Sequence, residues 1–157
     1  MTTAPPKDVD ALRSDGALVH IRAATRADRD GLMALYERAS DRSLYLRFFG
    51  LDRARVRRHA EMLAAPGDAD QLSLVAEIGG RLVGVAEFER VNEHDAEIAI
   101  LIDDGQQHLG IGTLLAEHLA DVARAYGYRR LLADVLAENG DMMRLLRDLG
   151  LPVMRSY

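Results

Sequence analysis

The chain has 157 residues, 48% of them hydrophobic and 29% charged, which is the size and composition of one globular domain with a substantial core. A formal net charge of −5 supplies no global basic field for nucleic acid or an anionic membrane. The absence of cysteine excludes disulfides, thiolate metal sites and cysteine-linked covalent intermediates, and no apolar run reaches the roughly 18 residues of a membrane span.

Residues 1–16 carry no apolar signal core and read as a flexible leader, so the domain is expected over 17–157 and a cytoplasmic location follows by default. ALVHIRAAT (17–25) reads as a strand. Thr25–Asp28 has the spacing of a capping box and opens a helix with Leu32, Leu35, Tyr36 and Ala39 inward. SDRSLYLRFFG (40–50) reads as an aromatic-rich loop, and DRARVRRHAEMLA (52–64) as a strongly basic helix ended by Pro66-Gly67. QLSLVAEIGGRLVGVAEFERV (71–91) is a hairpin turning at Gly79-Gly80. DAEIAILID (95–103) is a strand with Ile98, Ile100 and Ile102 on one face. A helix follows from Ile111 to Tyr126 with Leu115, Leu119 and Val122 inward, then a strand over 129–137. NGDMMRLLRDLG (139–150) is a helix with Met142, Leu145, Leu146 and Leu149 inward, closed by Gly150, and LPVMRSY begins a last strand. The order is β-α-α-β-β-β-α-β-α-(β), a mixed-sheet α/β fold whose 95–137 unit is a right-handed parallel crossover.

The chemistry concentrates in Gln107-His108-Leu109-Gly110-Ile111-Gly112, between a strand and a helix. Glycines there admit close backbone approach, and a helix start offers unpaired N–H groups at a positive dipole end, which suits a phosphate or pyrophosphate. A tight turn needing positive φ is the plainer reading of the same glycines. A Walker-type loop would need lysine after the last glycine, where Thr113 stands; a dinucleotide fingerprint would need glycine at Leu115.

QHLGIG after a strand and before a helix resembles the acyl-CoA pyrophosphate loop of the GNAT acetyltransferase superfamily, and ENGDMMRLLRDLGL resembles its asparagine-led helix. Within that superfamily, SDRSLYLRFFG and DAEIAILIDDGQQHLGIG are similar to bacterial protein lysine acetyltransferases that silence acyl-CoA synthetases. The resemblance implies a GNAT-type fold with splayed strands and acetyl-CoA as cosubstrate. Its pantetheine arm would lie against the main chain of Ile100, Leu101 and Ile102, its pyrophosphate on the amides of Gln107, His108, Leu109, Gly110, Ile111, Gly112 and Thr113, with Asn139 near the arm from the other side. It also implies direct acetyl transfer to the ε-amino group of lysine in a protein substrate, an acyl-CoA synthetase, and an attached regulatory or synthetase-like domain. Glu97 is the expected general base, since apolar strand neighbours should raise its pKa toward neutrality. Glu87 is the second candidate, and Glu89 reads as surface.

The chain departs from the family at three points. Leu146 stands where many relatives place a tyrosine that protonates the leaving thiolate. His108 and Leu109 replace the usual glycine and basic residue of the loop. The sequence stops at Tyr157, before the family's final strand pair, which reads as a trimmed domain or an acceptor wall supplied by a partner. RARVRRH (53–59) is readable as a dock for an acidic protein surface or as a solvated face. Tyr45, Phe48 and Phe49 are readable as the acceptor entrance or as a core plug. The five histidines show no ligand spacing, so no metal is expected, nor nucleic acid or membrane. A small-molecule amine acetyltransferase and a non-catalytic acyl-CoA sensor remain the alternatives.

Overall fold

The chain folds around one six-stranded mixed sheet; the computed structural model describes residues 6–149. The elements are β1 (Val9–Leu12), β2 (Leu18–Ala23), α1 (Arg29–Arg38), α2 (Asp41–Phe48), α3 (Arg53–Leu63), β3 (Gln71–Ile78), β4 (Arg81–Arg90), β5 (Asp95–Ile102), α4 (Ile111–Ala125), β6 (Arg130–Leu132) and α5 (Gly140–Asp148). The strands lie side by side in chain order, antiparallel from β1 to β5, and β6 joins β5 in parallel after the α4 crossover. This is the mixed-sheet α/β architecture expected from the element order.

Strand alternation sorts the core into two layers. Val75, Val85 and Leu101 face α1, α2 and α3, packing against Leu32, Leu35, Leu44, Val56 and Leu63. Leu74, Phe88, Ile98 and Ile100 face α4, whose Leu115, Leu119 and Val122 are buried as its periodicity predicts. Met142, Leu145, Leu146 and Leu149 pack on this second layer only partly buried. Gly79 and Gly80, at φ +58° and +81°, make the β3–β4 turn. Asp28 accepts from the Thr25 N–H at 2.7 Å through a short turn preceding α1, and the Arg22 guanidinium holds the same carboxylate with two 2.7 Å bonds.

The structure departs from the sequence expectations at three places. Part of the supposed leader is β1, paired antiparallel with β2 from Val9↔Ile21 to Leu12↔Leu18. SDRSLYLRF is helix α2 rather than loop: Ser40 caps it by accepting from the Ser43 N–H at 3.1 Å, and Leu44 and Phe48 bury one face. The strand expected over 129–137 pairs only at Arg130–Leu132, because its partner diverges beyond Glu97. Gly150 and the last-strand expectation over LPVMRSY lie outside the described residues.

The β5–β6 pair is fastened at one end. Asp95, almost wholly buried, accepts from Arg130 Nε at 2.8 Å and Nη2 at 2.6 Å, and from Asn92 Nδ2 at 2.9 Å. The guanidinium, helped by Asn92, holds the Asp95 carboxyl down at about 2, against its ordinary 3.8. A lowered folded-state pKa stabilises the fold above pH 3.8, and that stabilisation is lost as pH falls from there through about 2. Asp95→Asn should therefore flatten this limb of the acid-unfolding curve; an unaltered limb in circular dichroism would show that the clamp contributes nothing. Phe88 is fully buried, with ring centroids 6.1 Å from Tyr126 and 5.4 Å from Tyr128. Phe88→Ala should lower unfolding free energy by about 3–5 kcal/mol in denaturant titration.

Candidate active site

β5 is paired on both sides only at Ala96 and Glu97. Beyond that, β4 continues to Gly84↔Ile102 while β6 ends, so one backbone edge of β5 stands open. The Asp103 N–H donates to the Val83 carbonyl on β4 at 2.8 Å. By alternation, the N–H and C=O of Ile98, Ile100 and Ile102 face the open edge. The gap is a cleft of about 500 Å³, walled on the far side by Ala133, Asp134 and Val135.

The floor of the cleft is the start of α4. Gly110, at φ +87°, turns the chain into the helix, and His108 at +64° is also left-handed. Leu114 is the first α4 residue whose N–H bonds back, to the Gly110 carbonyl at 3.1 Å; those of Ile111, Gly112 and Thr113 precede any intrahelical partner. Ser40, Asp52 and Asn139 cap α2, α3 and α5 with side-chain oxygens, whereas no side chain caps α4. The donors and dipole of α4 are thus turned toward the cleft, where an anion would complete the helix end.

Of the loop and strand residues expected to hold a cofactor, Ile100, Leu101, Ile102, Gln107, His108, Gly110, Ile111, Gly112, Thr113 and Asn139 all line this cleft. Leu109 does not: its carbonyl accepts from the Ser14 N–H at 2.8 Å, turned toward the β1–β2 connection. The Gln107 amide donates to Ile102 O and to Ser43 Oγ, both at 3.3 Å, tying the strand end to α2. Asn139 Oδ1 is engaged in capping, accepting from the Met142 N–H at 3.1 Å. A Cβ on Gly112 would lie 2.8 Å from Leu145 Cδ1, so its bareness serves helix packing as well as backbone approach.

Three supports of the loop escape a one-dimensional reading. Arg13 reaches from the β1–β2 connection to Gln106 Oε1 while its Nε donates to Asp15 at 2.7 Å. Asp104 accepts from Ser43 Oγ at 3.0 Å and from the Ser40 N–H at 3.4 Å. Burial raises the Asp104 pKa, but these donors together outweigh it and hold the carboxyl below its ordinary value. Arg38 Nε donates to Asp103 Oδ2 at 2.9 Å. Each partner is more than 60 residues away in sequence, so spacing along the chain shows none of these contacts.

Beside the cleft lies a second cavity of about 390 Å³, bounded by α2, α3, β4 and β5. Glu97 lines both cavities, with Arg47, Ile98 and Ala99. It lies directly across from Glu89, and no cation is within ion-pair distance of either among the described residues. Burial first, then Asp134 and Glu89, push the Glu97 carboxyl above its ordinary value. Glu87 is occupied: Arg47 donates to it, and His59 Nε2 lies 2.8 and 3.0 Å from its oxygens. Its second-candidate role as base is weakened by that occupancy. The aromatic residues divide. Phe48 is buried against the His59 ring at 5.3 Å, Phe49 is exposed at the cleft, and Tyr45 is exposed.

Arg13→Ala should loosen the loop without unfolding the domain. Amide exchange at 106–110 should quicken while the buried middle of α4 keeps its protection, and unchanged exchange at the loop would show that it holds its shape unaided.

Residues 42–151 match the model of the acetyltransferase (GNAT) family. The chain is 32% identical over 150 residues to an acetyltransferase of Pseudomonas aeruginosa, covering 87% of this chain and 76% of that one. The crystal structure of the GNAT domain of S. lividans PAT superposes with a TM-score of 0.83 at 32% identity, over 96% of this chain and 90% of that one. A cAMP-binding acyltransferase from Mycobacterium smegmatis superposes at 0.64 with 25% identity, over 95% of this chain but 44% of the other, longer chain. A strand–loop–helix corner of bare donors, the family model and the 32%-identical relative converge: the chain belongs to the GNAT acetyltransferase family.

Proposed function

We propose that the domain transfers the acetyl group of acetyl-CoA to the ε-amino group of a lysine in a protein, with Glu97 as general base. The observation that carries this reading is the position of Glu97, the acidic residue at which the cleft and the second cavity meet. Acetyl-CoA supplies the activated acyl group as a thioester. The residues present fit it: the α4 N-terminus offers unengaged N–H donors for a diphosphate, and the open edge of β5 offers main-chain groups for an extended amide arm.

A lysine ammonium has a pKa of about 10.4 and must lose a proton before its nitrogen attacks the thioester carbon and the carbon–sulfur bond breaks. Glu97, with its raised affinity for a proton, takes that proton directly or through one water. The nitrogen sheds its second proton as the amide forms, and the departing thiolate takes it up through solvent, since Leu146 offers no proton where a tyrosine is usual. The cross-strand Glu89–Glu97 pair favours a cationic acceptor, which relieves their mutual repulsion. The resemblance of SDRSLYLRFFG and DAEIAILIDDGQQHLGIG to bacterial protein lysine acetyltransferases supports a protein as acceptor, with an acyl-CoA synthetase as the expected one. The partial coverage of the cAMP-binding acyltransferase supports a catalytic module working beside a regulatory domain. The cytoplasm remains the expected compartment, and among the described residues no helix is long and apolar enough to cross a membrane.

Glu97→Gln should lower kcat about 10²–10⁴-fold with acetyl-CoA binding heat retained. Wild-type kcat/KM should fall as pH drops through the raised Glu97 pKa, and the variant should lack that limb. Unchanged turnover in the variant would remove Glu97 from the chemistry. Acetylation of polyamines but of no lysine peptide would move the acceptor to small amines.

A further inference from the structure

Although the chain is net acidic, α3 carries Arg53, Arg55, Arg57, Arg58 and His59 against one acid, Glu61. Elsewhere most arginines are answered: Arg22 by Asp28, Arg38 by Asp103, Arg47 by Glu87, Arg130 by Asp95. Arg53 itself bonds Asp41 at 2.6 Å. Arg55 and Arg58 meet no carboxylate within ion-pair distance among the described residues; the one hydrogen bond there from either guanidinium runs from Arg55 to the Phe48 carbonyl at 3.4 Å.

Three residues apart, these two lie on the same side of the helix. Both line the second cavity, together with the exposed Met62. The same cavity holds Glu89 and Glu97, which lack a cation, while Glu87 is paired with Arg47 and lies within hydrogen-bond distance of His59. The cavity is therefore two-signed, anionic along β4–β5 and cationic along α3. A polyamine satisfies the first half and is repelled by the second. A lysine with an aspartate or glutamate close by satisfies both.

We propose that Arg55 and Arg58 select protein lysines that have an acidic residue within about three positions, roughly 10 Å of extended chain. This rests on the protein-lysine reading and names the local chemistry of its substrate. The arginines act by binding the acidic side chain of the substrate; no bond is made or broken there.

The test uses lysine peptides identical except for flanking Glu, Ser or Arg, assayed with the wild type, Arg55→Ala/Arg58→Ala and Arg55→Glu/Arg58→Glu. Melting curves and acetyl-CoA binding heat report that each variant is folded. Wild-type kcat/KM should run Glu-flanked over Ser over Arg, spanning about tenfold and carried by peptide KM, and the span should shrink in high salt. The alanine pair should flatten the order and the glutamate pair should invert it; if the glutamate pair does not fold, the alanine pair decides. Acetylation that ignores the flank in the wild type, or the same order in the folded variants, overturns this selection and leaves the protein-lysine reading intact. Failure of the wild type to acetylate any of the peptides overturns both.

Discussion

The site depends on two strands being joined at one end and free at the other. Asp95 and Arg130 lock the first rung of the β5–β6 ladder with two short charge-assisted bonds, and pairing ceases two residues later at Glu97. Had the ladder continued, β6 would have taken up the N–H and C=O groups of Ile98, Ile100 and Ile102. Had it never formed, Ala133–Val135 would have no reason to wall the cleft. The buried carboxylate sets where the strands meet, and the parting downstream creates the open edge.

A single strand then serves three environments through its period of two. Ile98 and Ile100 bury their side chains under α4 while their main chain faces the cleft. Leu101 anchors the layer beneath α1–α3. Glu97, on that same face but nearer the fastened end, escapes the core and stands between the two cavities. Around the strand's far end, Arg38, Ser43, Gln107 and Arg13 tie Asp103, Asp104 and the loop to three separate parts of the chain. The loop keeps its two left-handed residues because neighbours over-determine its path.

What was legible in the sequence was whatever is written locally. Leu115, Leu119 and Val122 declare the buried stripe of α4 by spacing alone, and Gly79-Gly80 declares a turn because few other residues accept its dihedral angles. Helix α2 was missed because eight residues with two buried anchors, Leu44 and Phe48, are too short for periodicity to speak. β1 was missed because a four-residue edge strand with no fully buried side chain is defined by its partner, β2, rather than by its own pattern. The strand after α4 was read too long for the converse reason: its residues suit a strand, but pairing needs a neighbour.

The sequence by itself determined the longer elements, the mixed topology, the strand–loop–helix corner with its glycines and the face of β5 that Glu97 occupies, since each follows from residue spacing and backbone sterics. Tertiary structure alone decided that α4 begins without a cap, that Leu109 turns away from the cleft, that Glu87 is claimed by Arg47 and His59, and that Arg55 and Arg58 share a cavity with Glu97. Those facts are distances between residues far apart along the chain, and spacing along a sequence carries no information about distance across a fold until the sheet has set its register.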